Sequence, residues 1–264
     1  MEYADGKLLA ETRDDIGWIT FNQPEKRNAL SVEMWDGLRQ VLEAWAGDEA
    51  VRVVVLAGQG EEAFISGADI SQFEALRANA EQQAAYQLRV AGGYASLAIF
   101  PKPIIAAVRG YCLGGGLMVA LRADFRIASE TARFGVPAAR MGIVYSPEGV
   151  RDLIGLVGLG PARSILLTAR RVDAAEAFAM GLADRVVPAT EFDGAVLELA
   201  RTLAGNAPLS VRGMKLVIRE LMKDGAERDE AAMGVAVARA FDSEDYREGR
   251  RAFMEKRKPR FVGR

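Results

Sequence analysis

A chain of 264 residues, 50% hydrophobic and 27% charged, is long enough to bury a sizeable core, and its formal net charge of −2 offers no global field to nucleic acid or an anionic membrane. The absence of histidine excludes more: Ser-His-Asp and Cys-His chemistry and the usual zinc sites all go, leaving carboxylates, tyrosine, lysine, backbone amides or a bound cofactor to do any catalysis. The single cysteine, Cys112, rules out an internal disulfide and fits a reducing compartment.

The opening "MEYADGKLLAETRDD" is acidic and has no apolar signal core, so a cytoplasmic location is expected. "GWITFN" (17–22) alternates between Gly and Pro boundaries and predicts a strand. In 31–48, Met34, Trp35, Leu38, Val41, Leu42 and Trp45 recur at three-and-four spacing behind Ser31, which predicts a capped helix. "VRVVVLAG" (51–58) is a β-branched run closed by Gly, a buried strand. A long helix is expected from about Ser71 to Phe100, and the prolines of "PKPIIAAV" (101–108) then end it and open another buried strand. "DFRIAS" and "ARFGVP" predict two more short strands. The apolar run Gly110 to Leu121 falls short of the roughly 18 residues that a bilayer span needs.

From "GPARSILLTARRVDAAEAFAMGLADRVVP" onward helices dominate. Strands early and helices late predict an α/β protein, with a core over 1–200 and a helical C-terminal part over 201–264. From Arg247 on, eight basic residues face two acidic ones. That tail reads either as a solvated helix face or as a polyanion contact, nucleotide phosphates for example.

Two glycine sites stand ready to present bare amides. In "FISGADI" (64–70) a turn at Gly67 leads from a strand region into a helix, and the run Gly114-Gly115-Gly116 also precedes a helix. The first amides of a helix lack intrahelical partners and the dipole there is positive. Two such ends converging on one point would make an oxyanion hole for a thioester or ester carbonyl; taken singly, each glycine only permits a tight turn or close packing. No Gly-Lys-Ser or Gly-Lys-Thr follows, which argues against a P-loop, and the glycine spacing does not fit a dinucleotide fingerprint.

In order along the chain, "NQPEKRNALS", "GQGEEAFISGADI", "PKPIIAAVRGYCLGGG", "ADFRIASETARFGVP", "LTARRVDAAEAFAMGLADRVV" and "REGRRAFMEKRKPRF" resemble the crotonase (enoyl-CoA hydratase/isomerase) family over nearly the whole length. The resemblance implies a spiral of ββα units with a helical C-terminal segment that trimerises and covers CoA, assembled as a homotrimer or dimer of trimers. It implies an acyl-CoA substrate, no nucleic-acid or membrane partner, no metal, and no cofactor beyond the coenzyme A of the substrate. The shared chemistry is stabilisation of a thioester enolate by two backbone amides, which match Ala68 and Gly115 here. By the same match Lys26, Arg27, Ala29 and Leu30 lie beside the adenosine and pantetheine, Ser66, Ala68 and Ile70 form the adenine edge, and Phe253 and Lys256 reach the nucleotide from a neighbouring subunit.

The chain departs from the hydratase pattern at both acid–base positions. The glutamate expected two residues after the glycines is Met118, and the one expected after the proline of "FGVPAARMG" is Ala138. Hydration needs both, because water adds across the double bond while a proton moves to or from carbon. Tyr145 and Glu148, in "YSPEG", are the candidate replacements; a helix-first-turn role for Glu148 and plain packing for Tyr145 are the alternatives. Arg140 faces the site or pairs with an acid, and Asp124 matches a position read as structural. Three readings stay open: a hydratase or isomerase with new acid–base groups, a hydrolase or decarboxylase on the same scaffold, or an acyl-CoA-binding protein without turnover whose acyl pocket is lined by Met118 and Ala138.

Overall fold

A computed structural model describes residues 1–76 and 78–264. The chain opens with β1 (Glu2–Tyr3), β2 (Leu8–Arg13) and β3 (Ile16–Phe21), then α1 (Val32–Ala46), β4 (Val53–Gly58) and β5 (Ala63–Ile65). Helices α2 (Phe73–Leu76) and α3 (Ala80–Ile99) follow, and then β6 (Ile104–Val108), β7 (Tyr111–Leu113), α4 (Gly115–Leu121), β8 (Phe125–Ser129) and β9 (Arg133–Gly135). Next come α5 (Pro147–Val157), α6 (Leu159–Thr168), β10 (Arg171–Asp173), α7 (Ala174–Ala179) and β11 (Arg185–Val187). The chain finishes with α8 (Phe192–Ala204), α9 (Pro208–Leu221), α10 (Glu230–Asp242) and α11 (Glu244–Met254).

The strands form two sheets. The larger runs β1-β2-β3-β4-β6-β8-β11, antiparallel up to β3 and parallel from β3 onward. The smaller runs β10-β9-β7-β5, parallel except for the β9–β10 edge. This interleaving of strands for the two sheets with helices gives a mixed α/β architecture, as the strand-then-helix pattern predicts.

The central strands read as continuous apolar runs because both their faces are buried. Val54 and Leu56 of β4 and Ile104, Ala106 and Val108 of β6 face the main core, with Trp35, Leu38 and Leu42 of α1. Their alternates Val53, Val55, Ile105 and Ala107 face a second core, closed by Phe192, Val196 and Ala200 of α8. The predicted cap of α1 is present, with Ser31 Oγ accepting the Met34 N–H at 3.3 Å.

The single helix expected over about 71–100 is instead broken. Asp69 caps a short 3-10 turn over Ile70–Gln72, α2 follows, and α3 begins afresh where the Asn79 side chain accepts the Gln82 N–H at 2.9 Å. Asn and Asp compete with helix continuation by bonding nearby amides, and this stretch carries one at each restart. Strands β1 and β2 carry no clear sequence signal, because neighbouring charged and glycine residues obscure the alternation of Leu8 and Ala10.

The C-terminal helices are tied to the core by charge. Lys215 of α9 donates to the Lys102 carbonyl at 2.8 Å and pairs with Asp124 at 2.6 Å, while Asp124 also accepts the Ile104 N–H at 2.7 Å. Arg52 donates to the carbonyls of Ala204 and Phe261 at 3.2 and 2.9 Å. Among the described residues no helix is long and apolar enough to cross a membrane.

Candidate active site

Segments 27–30 and 66–69 lie side by side in parallel. Leu30 N–H donates to the Gly67 carbonyl at 2.8 Å, Asp69 N–H donates to the Leu30 carbonyl at 2.8 Å, and Leu30 pairs with Ala68. In a parallel pairing these two bonds flank the partner residue, so its own N–H turns to the opposite side. Ala68 N–H is therefore aimed away from Leu30. Gly67, at φ +134°, supplies a backbone conformation that side-chain-bearing residues rarely adopt.

On the opposite side sits the glycine run, and its three members answer to three different constraints. Gly114 has φ +50° and ψ −112°, outside the regions open to other residues. A Cβ on Gly116 would lie 2.3 Å from the Ile65 carbonyl oxygen, so α4 packs onto β5 only with glycine there. Gly115 has neither constraint. A Cβ built on it would meet Leu30 Cδ1 at 3.5 Å and Ala68 N at 3.7 Å, which are ordinary contacts. A Cβ stands roughly 2.5 Å from its own nitrogen by covalent geometry. The Gly115 and Ala68 nitrogens are thus no more than roughly 6 Å apart, a separation one oxygen spans with about 3 Å to each. Among the described residues, neither N–H has a protein acceptor.

The loop carrying Ala68 is held from below. Lys26 Nζ donates to Asp69 Oδ2 at 2.9 Å and to Ser71 Oγ at 3.0 Å, and Gln23 Nε2 reaches the same carboxylate at 3.4 Å. Asp69 is buried; burial alone would raise its pKa, but hydrogen bonds from Ser71 and Lys26 outweigh that and hold the carboxyl below its ordinary range. Arg27 pairs with Glu62 at 3.1 Å and lies over the Tyr111 ring, which Arg171 also covers at 5.1 Å from the ring centroid. Lys26, Arg27, Glu62, Ser66, Tyr111, Leu113 and Arg171 line a cleft, with Ser66 two residues before Ala68 and Leu113 two before Gly115. Ala29 and Leu30 are buried, and Ile70 is exposed. Tyr111 and Arg171 were not singled out from the sequence; the three-residue link from Gly110 to the glycine run, which makes Tyr111 part of β7, was the available signal.

Around the glycines the surroundings are apolar. Met118, Ala138 and Tyr145 are half-buried and pack against the main core. The Tyr145 hydroxyl donates to the Gly114 carbonyl at 2.8 Å, and burial pushes its phenol pKa well up, so it stays protonated. Glu148 is exposed in the first turn of α5, behind the cap that Ser146 Oγ forms with the Gly149 N–H at 3.1 Å. Arg140 is exposed as well. Beneath Tyr145, Asp152 of α5 joins Arg122 at 2.6 Å and accepts the Tyr94 hydroxyl, while Arg122 lies 4.5 Å over the Tyr94 ring. This cluster pins α3, α4 and α5 together around the glycines. Phe253, near the end of α11, and Lys256, just beyond it, stand apart, with Phe253 82% exposed.

The site thus brings together two backbone amides from separate loops, neither with an acceptor among the described residues. The family model for enoyl-CoA hydratase/isomerase matches residues 11–264. A short-chain-enoyl-CoA hydratase of Clostridium acetobutylicum is 34% identical over 251 residues, covering 95% of each chain. A carnitinyl-CoA dehydratase of Proteus mirabilis is 37% identical over 264 residues, covering 97% of this chain and 98% of its own. The solved structure of an enoyl-CoA hydratase/carnitine racemase from Magnetospirillum magneticum superposes with a TM-score of 0.94 at 36% identity, covering 99% of this chain and 97% of that one. The chain belongs to the enoyl-CoA hydratase/isomerase family of the crotonase superfamily.

Proposed function

We propose that the protein is an acyl-CoA enzyme in which the Ala68 and Gly115 N–H groups share the thioester oxygen and stabilise the enolate that forms when charge moves onto it. The observation that supports this reading is the approach of two acceptor-free amides from separate loops. Donors fixed in advance act strongly because no reorganisation is needed as charge develops. The cleft of Lys26, Arg27, Ser66, Tyr111 and Arg171 takes the polar coenzyme, its guanidinium groups suiting phosphate. The related hydratase and dehydratase both act on CoA thioesters by name, which supports the substrate class.

With Met118 and Ala138 in place of both glutamates, ordinary hydration lacks its paired acid and base. Glu148 is the carboxylate proposed to serve in their stead, and thioester hydrolysis or decarboxylation draws on the same enolate cradle. A second reading, an acyl-CoA-binding protein without turnover, is favoured by the half-buried, apolar Met118 and Ala138. Calorimetry with CoA, crotonyl-CoA and saturated and carboxylated acyl-CoAs, run beside depletion assays on the same thioesters, separates the two. Binding with turnover of any member supports the enzyme; binding throughout with no turnover supports the binder; failure to bind any of them overturns both.

A further inference from the structure

We infer that Tyr145 is a positioning residue for the Gly115 amide, acting through the carbonyl of the same peptide group. The Gly114 carbonyl and the Gly115 N–H are the two ends of one planar unit, so whatever fixes the carbonyl fixes the direction of the N–H. That carbonyl accepts two bonds, from the Tyr145 hydroxyl at 2.8 Å and from the Met118 N–H at 3.0 Å. The preceding Gly114 N–H is held by the Gly135 carbonyl at 2.9 Å. The peptide is thus gripped on both flanks at a glycine whose backbone, at φ +50° and ψ −112°, would otherwise be among the most adaptable in the chain.

The seat of the phenol is itself built. Ser146 caps α5 immediately after Tyr145, which fixes where the ring leaves the backbone. A Cβ on Gly149 would come within 2.7 Å of Tyr145 Cε1, so the ring lies flat on the first turn of α5 only because residue 149 is glycine. Burial keeps the hydroxyl protonated, and a protonated hydroxyl is what donates to a carbonyl. Hydrogen bonds in a chain polarise one another: donation to a peptide oxygen strengthens the donor at its nitrogen. Tyr145 therefore aims the Gly115 N–H and sharpens it, its hydroxyl proton given to the Gly114 carbonyl.

The inference rests on the reading of Gly115 N–H as a donor to the thioester. Its test is the difference absorbance and carbonyl stretch of bound trans-cinnamoyl-CoA, whose conjugated carbonyl reports polarisation. Wild type, Tyr145→Phe and a protein carrying 3-fluorotyrosine at position 145 alone are compared, with coenzyme A lacking an acyl group as the second ligand. Tyr145→Phe is expected to shrink the red shift and to raise the Kd for the thioester about 3- to 10-fold, the effect of one hydrogen bond, with the Kd for coenzyme A unchanged. Fluorotyrosine has nearly the same shape and a stronger donor, so it is expected to lower the stretch below the wild-type value; it also decides the matter where the phenylalanine variant fails to fold. Full wild-type polarisation in both variants overturns the inference and leaves the oxyanion reading intact. A wild-type protein that binds the thioester without polarising it overturns both.

Discussion

Replacing Gly115 with proline separates the chemistry of the amide from the stability of the fold. Gly115 is the first residue of α4, the helix position where proline's fixed φ and missing N–H are best tolerated. A Cβ there meets nothing closer than Leu30 Cδ1 at 3.5 Å, and the residue before it is a glycine, with no Cβ to clash with the ring. The lost N–H has no acceptor in the protein, so folding gives up no hydrogen bond. Proline also restricts the unfolded chain, an effect of about 0.4–1 kcal/mol in favour of the native state. At about 2–4 °C per kcal/mol for a chain of this size, Tm is expected to hold or rise slightly. Removal of one oxyanion donor, in contrast, typically costs ~10²–10³ in rate, equivalent to about 2.7–4 kcal/mol of transition-state stabilisation. The assay pairs thermal unfolding with turnover across the acyl-CoA panel and with the spectrum of bound trans-cinnamoyl-CoA. Near-wild-type turnover and polarisation in a folded Gly115→Pro protein would refute the reasoning. So would a variant that unfolds, since it would mean the amide serves the fold.

The neighbouring glycine is expected to behave oppositely: Gly116→Ala drives a methyl against the Ile65 carbonyl and should destabilise by about 1–3 kcal/mol, read as a lower urea midpoint, and an unchanged midpoint contradicts the packing account. Any hydration of crotonyl-CoA by this chain is expected to vanish in Glu148→Gln, and full hydration by that variant rules out Glu148 as the replacement acid or base. Lys102 is wholly buried, donating to the carbonyls of Trp45 and Asp48 near the end of α1, and burial together with the Arg212 charge lowers its pKa to about 8. A folded-state pKa below the unfolded one means that the unfolded chain binds the extra proton, so Lys102 lets stability rise with pH between about 8 and the ordinary lysine value of 10.5. Urea unfolding at intervals across that window should show the rise in wild type and a flatter profile in Lys102→Met; parallel profiles contradict the assignment.

Much of the fold was readable because burial on both faces leaves an unbroken apolar signature, as in "VRVVVLAG" and "PKPIIAAV", and because α1 shows a helical stripe behind a serine cap. The break between α2 and α3 was not read, since the side chains of Asp69 and Asn79 end and restart helices through local bonds that apolar periodicity does not register. At the site, glycine content pointed to bare backbone, but the sequence does not say which glycine serves which purpose. The division of labour among Gly114, Gly115 and Gly116 depends on an Ile65 carbonyl some fifty residues away and on Leu30, farther still. Tyr145 was singled out as a polar group near the substrate; that its hydroxyl is committed to the Gly114 carbonyl is a fact of tertiary packing alone. Tyr111, stacked beneath Arg27 and Arg171, became visible as part of a cleft only once β7 and β10 were brought to either side of β9.

The central claim is that two peptide N–H groups from separate loops hold one thioester oxygen. A crystal structure with a bound acyl-CoA tests it most directly. The account expects the thioester oxygen within 2.7–3.1 Å, roughly, of both the Ala68 and the Gly115 nitrogens; an acyl-CoA bound with that oxygen turned to solvent, or against neither amide, contradicts it.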